Sequence, residues 1–266
     1  MGRRCGVAPQ GIAVDPHWHA MTEKNQSARG ALILGGALFG SKVARADLHP
    51  ARQKLFNQIS KDPWRFMTAE DPLTSEPLVW TRNENSPRGR DPFPDKDYLR
   101  LYVKALVDEP VLFVPKSRQM IISTATLVLC LWEILFQYSF RTILSKVTEE
   151  DAEELLENKV RFTYRALPEW LRKMRKVHDR PKGRAVCSDT ASYILAAAQN
   201  VADRECRGGT GNRLVIDEAA YQDYTQSIVE AGQPMTNRLV VISSPNVSYP
   251  GGRWMRQIIF SEREDL

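Results

Sequence analysis

The sequence predicts an α/β protein built on a mostly parallel, doubly wound sheet flanked by helices. Three observations predict it. Short all-apolar runs at Val111–Val114, Leu214–Ile216 and Leu239–Ile242 have the length and continuity of strands buried on both faces. Helical patterns lie between successive strand candidates, as crossovers between parallel strands require. Each of the three runs is followed at once by small, polar or charged residues, the arrangement expected where strand ends face a ligand.

At 266 residues, the chain is long enough for one substantial core with appendages. With 42% apolar and 26% charged residues it belongs among ordinary globular proteins, which excludes a disordered chain. Residues 1–50 mix Gly, Pro, His and Arg without periodicity and are read as a flexible N-terminal extension. Within them, Ala31–Gly40 is too short to span a bilayer and contains three glycines. Its likeness to a signal peptide, with Ala44-Arg45-Ala46 as a cleavage site, is set aside because a polar segment precedes it. No membrane association is expected.

Residues 51–110 place Trp64, Phe66, Trp80, Phe93 and Tyr98 among turn-formers, and read as an irregular N-terminal layer packed on the core. The core proper is expected over residues 111–266. Its first strand is Val111–Val114, followed by a polar turn and an apolar helix from about Ser123 to Phe136, whose run Leu127–Phe136 is interrupted by Glu133. Arg141–Val147 reads as the next strand. Thr148, three residues before Asp151, is placed to cap an acidic helix. A basic helical stretch over about Pro168–Val177 precedes strand candidates at Ser192–Ala198, Leu214–Ile216 and Leu239–Ile242. No internal repeat is visible.

The net charge is only +5, but it is unevenly placed. From Lys159 to Arg184, ten Lys or Arg stand against only Glu169 and Asp179, which favours a polyanionic partner. A solvated face of basic helices is the plainer alternative. The four cysteines are scattered without a C-x-x-C pair, so neither a zinc site nor a disulfide framework is suggested and a reducing compartment is the default.

Chemistry is expected where the strands end. After the first comes Pro115-Lys116-Ser117-Arg118-Gln119-Met120-Ile121-Ile122-Ser123-Thr124. A turn running into a helix N-terminus offers backbone N–H groups and a positive dipole end to phosphate. Lys116 can reach the outer phosphates, and the Ser123 hydroxyl can bind Mg²⁺. After Leu214–Ile216 come Asp217 and Glu218, an acidic pair that needs a cation or hydrogen bonds to offset its burial. After Leu239–Ile242 come Ser243-Ser244-Pro245-Asn246, small polar residues suited to sensing a γ-phosphate. Taken singly, a basic turn, a helix start rich in acids and a Ser-Pro-Asn turn explain each segment. Their common position and their order are harder to explain that way.

In that order the segments resemble the ATPase domain of the phage terminase large subunit, a P-loop NTPase of the ASCE/RecA-like class. Lys116-Ser117-Arg118-Gln119-Met120 resembles that family's variant phosphate loop, with its lysine at the beginning. Arg207-Gly208-Gly209-Thr210-Gly211, running into Leu214–Ala220, resembles its Arg-Gly-x-Thr lead into the acidic motif. Ser243–Asn246 resembles its coupling motif, and Asp91–Leu99 the segment that precedes the loop in some members. The resemblance covers roughly residues 75–260.

It implies ATP hydrolysis with Mg²⁺, driving double-stranded DNA into a procapsid. By that resemblance Lys116, Ser117, Gln119, Ser123 and Thr124 would bind the ATP phosphates, and Ser123 and Asp217 would hold Mg²⁺. Glu218 would activate water, and Arg118 would offset charge developing on the γ-phosphate. Ser243, Ser244 and Asn246 would couple hydrolysis to movement. A second arginine would come in trans from a ring neighbour, with Arg141, Arg161 and Arg165 as candidates. The implied partners are the portal protein and the small terminase subunit, in the host cytoplasm.

Two departures stand out. Ile121 and Ile122 replace the glycine and late lysine usual in the loop. A β-branched residue disfavours positive φ, so a loop of ordinary backbone conformation is expected. The chain also ends at Leu266, soon after the coupling motif, so the C-terminal RNase H-like nuclease of large terminases is expected to be absent. Two alternatives stay open: a catalytically impaired P-loop module acting in binding or assembly, for which Ile121 and Ile122 argue, and a superfamily 2 helicase-like translocase, which shares a P-loop and an Asp-Glu pair but would need a second RecA-like domain.

Overall fold

In a computed structural model, residues 48–117, 120–178 and 182–260 are described. The expected N-terminal extension lies outside them as far as residue 47, and Pro50 already begins a helix. The residues before the sheet are more regular than their composition suggests. Helix α1 (Pro50–Ile59) has proline in its first turn and an acceptor from the His49 ring, and α2 (Pro63–Thr68) is capped by Asp62. A two-stranded antiparallel ribbon, β1 (Trp80–Arg82) and β2 (Arg90–Pro92), leads to α3 (Asp97–Asp108).

The remaining elements alternate. They are β3 (Val111–Pro115), α4 (Ile122–Phe136), β4 (Arg141–Lys146) and α5 (Glu149–Leu155). A π-helical turn (Leu156–Arg161) joins α5 to α6 (Phe162–Ala166), followed by α7 (Glu169–Met174), β5 (Val177–His178), β6 (Arg184–Cys187) and β7 (Ser192–Ala198). The chain closes with α8 (Gln199–Gly208), β8 (Arg213–Asp217), a 3-10 turn (Ala219–Tyr221), α9 (Thr225–Gly232), β9 (Leu239–Ser243) and α10 (Pro250–Phe260). The sheet order is β3-β9-β8-β4-β7-β6-β5. The first five of these strands are parallel, and β6 and β5 add an antiparallel edge. All five strand runs expected in the core are present, and the Thr148 hydroxyl accepts from the Asp151 N–H at 3.1 Å as expected.

Alternation along the strands assigns the core to two faces. Leu144, Val215, Val240 and Ile242 point to the side covered by α4 and the N-terminal helices. Ile143, Leu214, Ile216, Leu239 and Val241 point to the side covered by α8, α9 and α10. Helix α4 is apolar all round because it is buried all round. Leu127, Leu129, Leu131, Ile134 and Leu135 are almost wholly buried, each contributing about 1.5–3 kcal/mol. Phe136 takes Phe56 and Phe66 edge-on, with ring centroids 5.6 and 5.9 Å away, and the Trp132 indole donates to the Ile59 carbonyl at 2.7 Å. These contacts fix the N-terminal helices to α4.

Glu133, which interrupts the apolar run of α4, is explained by Arg213 at the start of β8. The fully buried guanidinium forms a bidentate pair with it, at 2.8 and 2.7 Å, and also donates to the Leu106 carbonyl.

The basic stretch is less helical than expected. Helix α7 stops at Met174, and the chain then turns into the antiparallel edge strands. Its charge is also partly internal. Arg161 and Arg175 are 5% exposed, and the Arg175 Nε donates to the Leu135 carbonyl at 2.7 Å. Lys173 and Lys182 do face solvent. Among the described residues no helix is long and apolar enough to cross a membrane, and Cys130, Cys187 and Cys206 are buried free thiols.

Candidate nucleotide site

Register brings the strand ends together. Pro115 pairs with Ser243, Ile242 with Asp217, and Ile216 with Ser145. Four neighbouring strands therefore end on one line, in the order β3, β9, β8 and β4. The residues just beyond them form one cluster at the carboxyl edge, where open α/β sheets bind ligands.

From β3 the chain enters the loop. The Lys116 N–H donates to the Ser243 carbonyl at 2.9 Å, which ties the loop's first residue to β9. Ser117 is exposed, and the expected roles of Arg118 and Gln119 fall outside the described residues. Ile121 then stands at the N-cap of α4 with φ 59° and ψ 6°, in the left-handed region. The sequence expectation of an ordinary backbone there is wrong. The loop keeps the turn that a glycine would adopt freely, and the β-branched side chain is forced into it, at a cost of about 1–3 kcal/mol. No side chain caps α4, so the first-turn N–H groups of Ile122, Ser123 and Thr124 remain the natural acceptor site for an anion.

Ser123 and Asp217 meet as expected. The Ser123 hydroxyl donates to Asp217 Oδ1 at 2.6 Å, joining the start of α4 to the end of β8. Asp217 is 4% exposed. Glu218 follows in a left-handed conformation, φ 57°, with its carboxylate half-exposed. Thr124 is buried beneath the loop. Two hard oxygens, from Ser123 and Asp217, fit a Mg²⁺ that would take phosphate and water as its other ligands.

Sequence reasoning missed the cation already there. Lys146, the last residue of β4, places Nζ 2.6 Å from Glu218 Oε2 and 3.3 Å from Asp217 Oδ2. Burial alone would push its ammonium down, but Asp217 and Glu218 outweigh that and hold it above its ordinary value. The expected strand ran on to Val147, which placed Lys146 inside it and out of view of a search just beyond strand ends. Lys159, on the π-helical turn, is half-buried within the electrostatic reach of Asp217, and burial together with Arg82 pushes its ammonium down. Gln222 left no signal in the sequence. Its buried amide donates to the Asp217 and Ser145 carbonyls at 2.8 and 3.3 Å and accepts from the Ser145 hydroxyl at 2.9 Å. It thereby locks β8 to β4 beneath the acidic pair.

The segment after β9 is tied to the acidic motif. The Ser243 hydroxyl accepts from the Ala220 N–H at 3.0 Å and donates to the Ser244 carbonyl at 2.9 Å. The Ser244 hydroxyl lies 3.4 Å from that of Tyr221, and the Asn246 side chain accepts from the Ser248 N–H. Gly251 and Gly252 then let the start of α10 close over both segments. A Cβ at Gly252 would fall 1.4 Å from the Asn246 carbonyl oxygen, and one at Gly251 2.3 Å from that of Ala219.

The three candidate trans arginines lie apart from this cluster. Arg141 begins β4, at the opposite edge, where it pairs with Glu205 at 2.5 Å and donates to the Thr210 carbonyl. Arg161 is buried against Glu153, Glu157 and the Arg184 carbonyl. Arg165 is half-exposed and paired with Glu157.

No protein-family model matches the sequence, and no curated protein is significantly similar to it. Similar solved structures do exist. The large terminase of bacteriophage HK97 matches at 13% identity with a TM-score of 0.51, over 65% of this chain and 38% of that one. A large terminase from a thermophilic bacteriophage matches at 10% identity and TM-score 0.46, over 57% of this chain and 39% of that one. That protein also matches in its complexes with ADP and ATP-γ-S. The large terminase ATPase domain of Thermus phage P74-26 matches at 17% identity and TM-score 0.41, over 57% of this chain and 70% of that one. The chain thus spans well under half the length of the first two proteins. What it shares with the HK97 protein is the fold, a mostly parallel α/β sheet flanked by helices.

Proposed function

We propose that this chain hydrolyses ATP as the motor domain of a terminase large subunit, moving double-stranded DNA into a procapsid. The observation that supports this best is the Ser123–Asp217 hydrogen bond, with Glu218 beside it and the phosphate-loop turn above it. It joins two motifs 94 positions apart, in the pairing a nucleotide site requires. In this reading Lys116 and the first-turn N–H groups of α4 bind the β and γ phosphates, with Ser117, Gln119 and Thr124 shaping the loop around them. Ser123 and Asp217 hold Mg²⁺, which when bound would neutralise charge on the transferring phosphoryl group. Glu218 orients and deprotonates the attacking water. Arg118 stabilises charge developing on the γ-phosphate.

Ser243, Ser244 and Asn246 relay the loss of that phosphate. Ser243 and Ser244 are hydrogen-bonded to the turn after Glu218, and the Asn246 backbone packs against the start of α10, so a shift at the acidic pair reaches the helix directly. Of the three candidate trans arginines, Arg165 has the exposure that a neighbouring subunit would need. Exposed lysines such as Lys173 and Lys182 would add non-specific, salt-sensitive contacts to DNA phosphates. Portal protein, small subunit and a homo-oligomeric ring in the host cytoplasm complete the proposal. The left-handed turn at Ile121 argues against the alternative of an impaired binding module, because the entry to α4 keeps a turn that a glycine would favour.

The test is ATP turnover of the chain with and without duplex DNA, up to concentrations at which rings would form. Glu218→Gln should lower kcat by about 10²-fold or more while ATP binding persists. A folded sample that turns over no ATP under any of these conditions would overturn the enzyme reading.

A further inference from the structure

Lys146 has no part in the roles given above, yet it is the most tightly held charge in the site. Its side chain is 8% exposed, and it sits between Glu218 and Asp217 at 2.6 and 3.3 Å. The Ser123 hydroxyl occupies the other oxygen of Asp217. A carboxylate as buried as that of Asp217, with a second one bonded to the same ammonium, needs a compensating charge, and here the protein supplies it from its own chain.

We propose that Lys146 is the resident counter-cation of the acidic pair: it neutralises the pair while nucleotide is absent and yields Asp217 to Mg²⁺ arriving with ATP. This rests on the nucleotide-site reading and adds a rule of order to it. A divalent ion alone meets an ammonium already in its place, so it binds weakly. A Mg²⁺ chelated by phosphates brings its own additional ligands and can displace it. The flexible four-carbon stem of lysine allows the ammonium to withdraw without movement of β4. Glu218 keeps its contact with Lys146 in the resting state, which holds the water-activating carboxylate in a defined place despite its left-handed backbone.

The experiment measures Mn²⁺ binding to the nucleotide-free chain by electron paramagnetic resonance, with thermal unfolding read in the same buffers. Wild type should bind Mn²⁺ weakly without nucleotide. Lys146→Met should be less stable in metal-free buffer, bind Mn²⁺ about ten-fold or more tightly, and regain stability when Mn²⁺ is added. Lys104→Met, which removes an exposed lysine, should behave as wild type. Lys146→Gln serves the same purpose should the methionine variant not fold. Equal Mn²⁺ affinity in wild type and variant, or lost stability that metal does not restore, overturns the proposal. So does tight Mn²⁺ binding by nucleotide-free wild type, a result that needs no variant. Binding of Mn²⁺·ATP in the same samples separates two failures. Wild type that binds Mn²⁺·ATP while the variant gains no metal affinity refutes the counter-cation alone, whereas no Mn²⁺·ATP binding by any form refutes the nucleotide site and the counter-cation together.

Discussion

Replacing Arg213 by methionine should be among the most damaging single changes in the sheet, because it leaves Glu133 charged and buried with no partner. The pair spans α4 and β8, the same two elements that Ser123 and Asp217 join at the other end. Breaking a buried pair by removing one partner costs about 3–5 kcal/mol. For a chain of this size each kcal/mol lowers Tm by roughly 2–4 °C, so Arg213→Met should unfold some 6–20 °C below wild type. The double variant Glu133→Met with Arg213→Met should recover most of the loss, since apolar replacement of a whole buried pair is often neutral. Two details favour that recovery. Arg213 Nη1 has no hydrogen-bond partner, a cost the double variant removes, and the Leu106 carbonyl keeps a second donor in Arg238. Thermal and urea unfolding of the three proteins is the assay. A single variant within about 1 kcal/mol of wild type, or a double variant no better than the single, would refute this account of the core.

Three further outcomes are expected. Ile121→Gly should relieve about 1–2 kcal/mol of left-handed strain and lose about 0.5–1 kcal/mol to glycine's chain entropy. The midpoint in urea should therefore stay level or rise, and a clear fall would show that the Ile121 side chain stabilises the turn. Gly252→Ala drives a methyl into the Asn246 carbonyl and should cost about 1–3 kcal/mol or more. If it acts as proposed, it should also depress DNA-stimulated ATPase more than basal ATPase. At Asp71 burial would raise the carboxyl, but donors from Leu73, Arg52 and Trp170 outweigh it and hold its pKa below the ordinary 3.8. A depressed folded value contributes stability above the unfolded value and loses it as pH falls through the folded one. Asp71→Asn should thus be less stable than wild type at neutral pH, with the gap closing below about pH 4 when both are unfolded by urea across the acid range.

Much of this protein was legible in the order of its residues. An apolar run buried on both faces of a sheet needs no partner to be recognised, and three such runs, with two further strand candidates and helical patterns between them, specify a mostly parallel sheet. Strand ends then mark the ligand edge, which is why Ser123, Asp217, Glu218 and Ser243 were legible before any distance was known. Lys146 was not picked out, because the expected strand ran on to Val147 and a single lysine at a strand's end carries no motif. The basic stretch after Lys159 was misjudged for a related reason, since sequence counts charges without showing that Arg161 and Arg175 are spent inside.

Other features had no local signature. The left-handed backbone at Ile121 contradicts the residue's own preference, so nothing in the local sequence announces it. Gln222 and the Arg213–Glu133 pair acquire meaning only from partners about 80 residues away in sequence. The sequence by itself determined the five core strands, the candidate ligand edge and the order of the motifs, because period, propensity and turn chemistry are local. The tertiary structure alone decided which charges meet, how the register aligns four strand ends and which arginines are buried. Those outcomes depend on through-space distance and on desolvation, which neighbours along the chain do not encode.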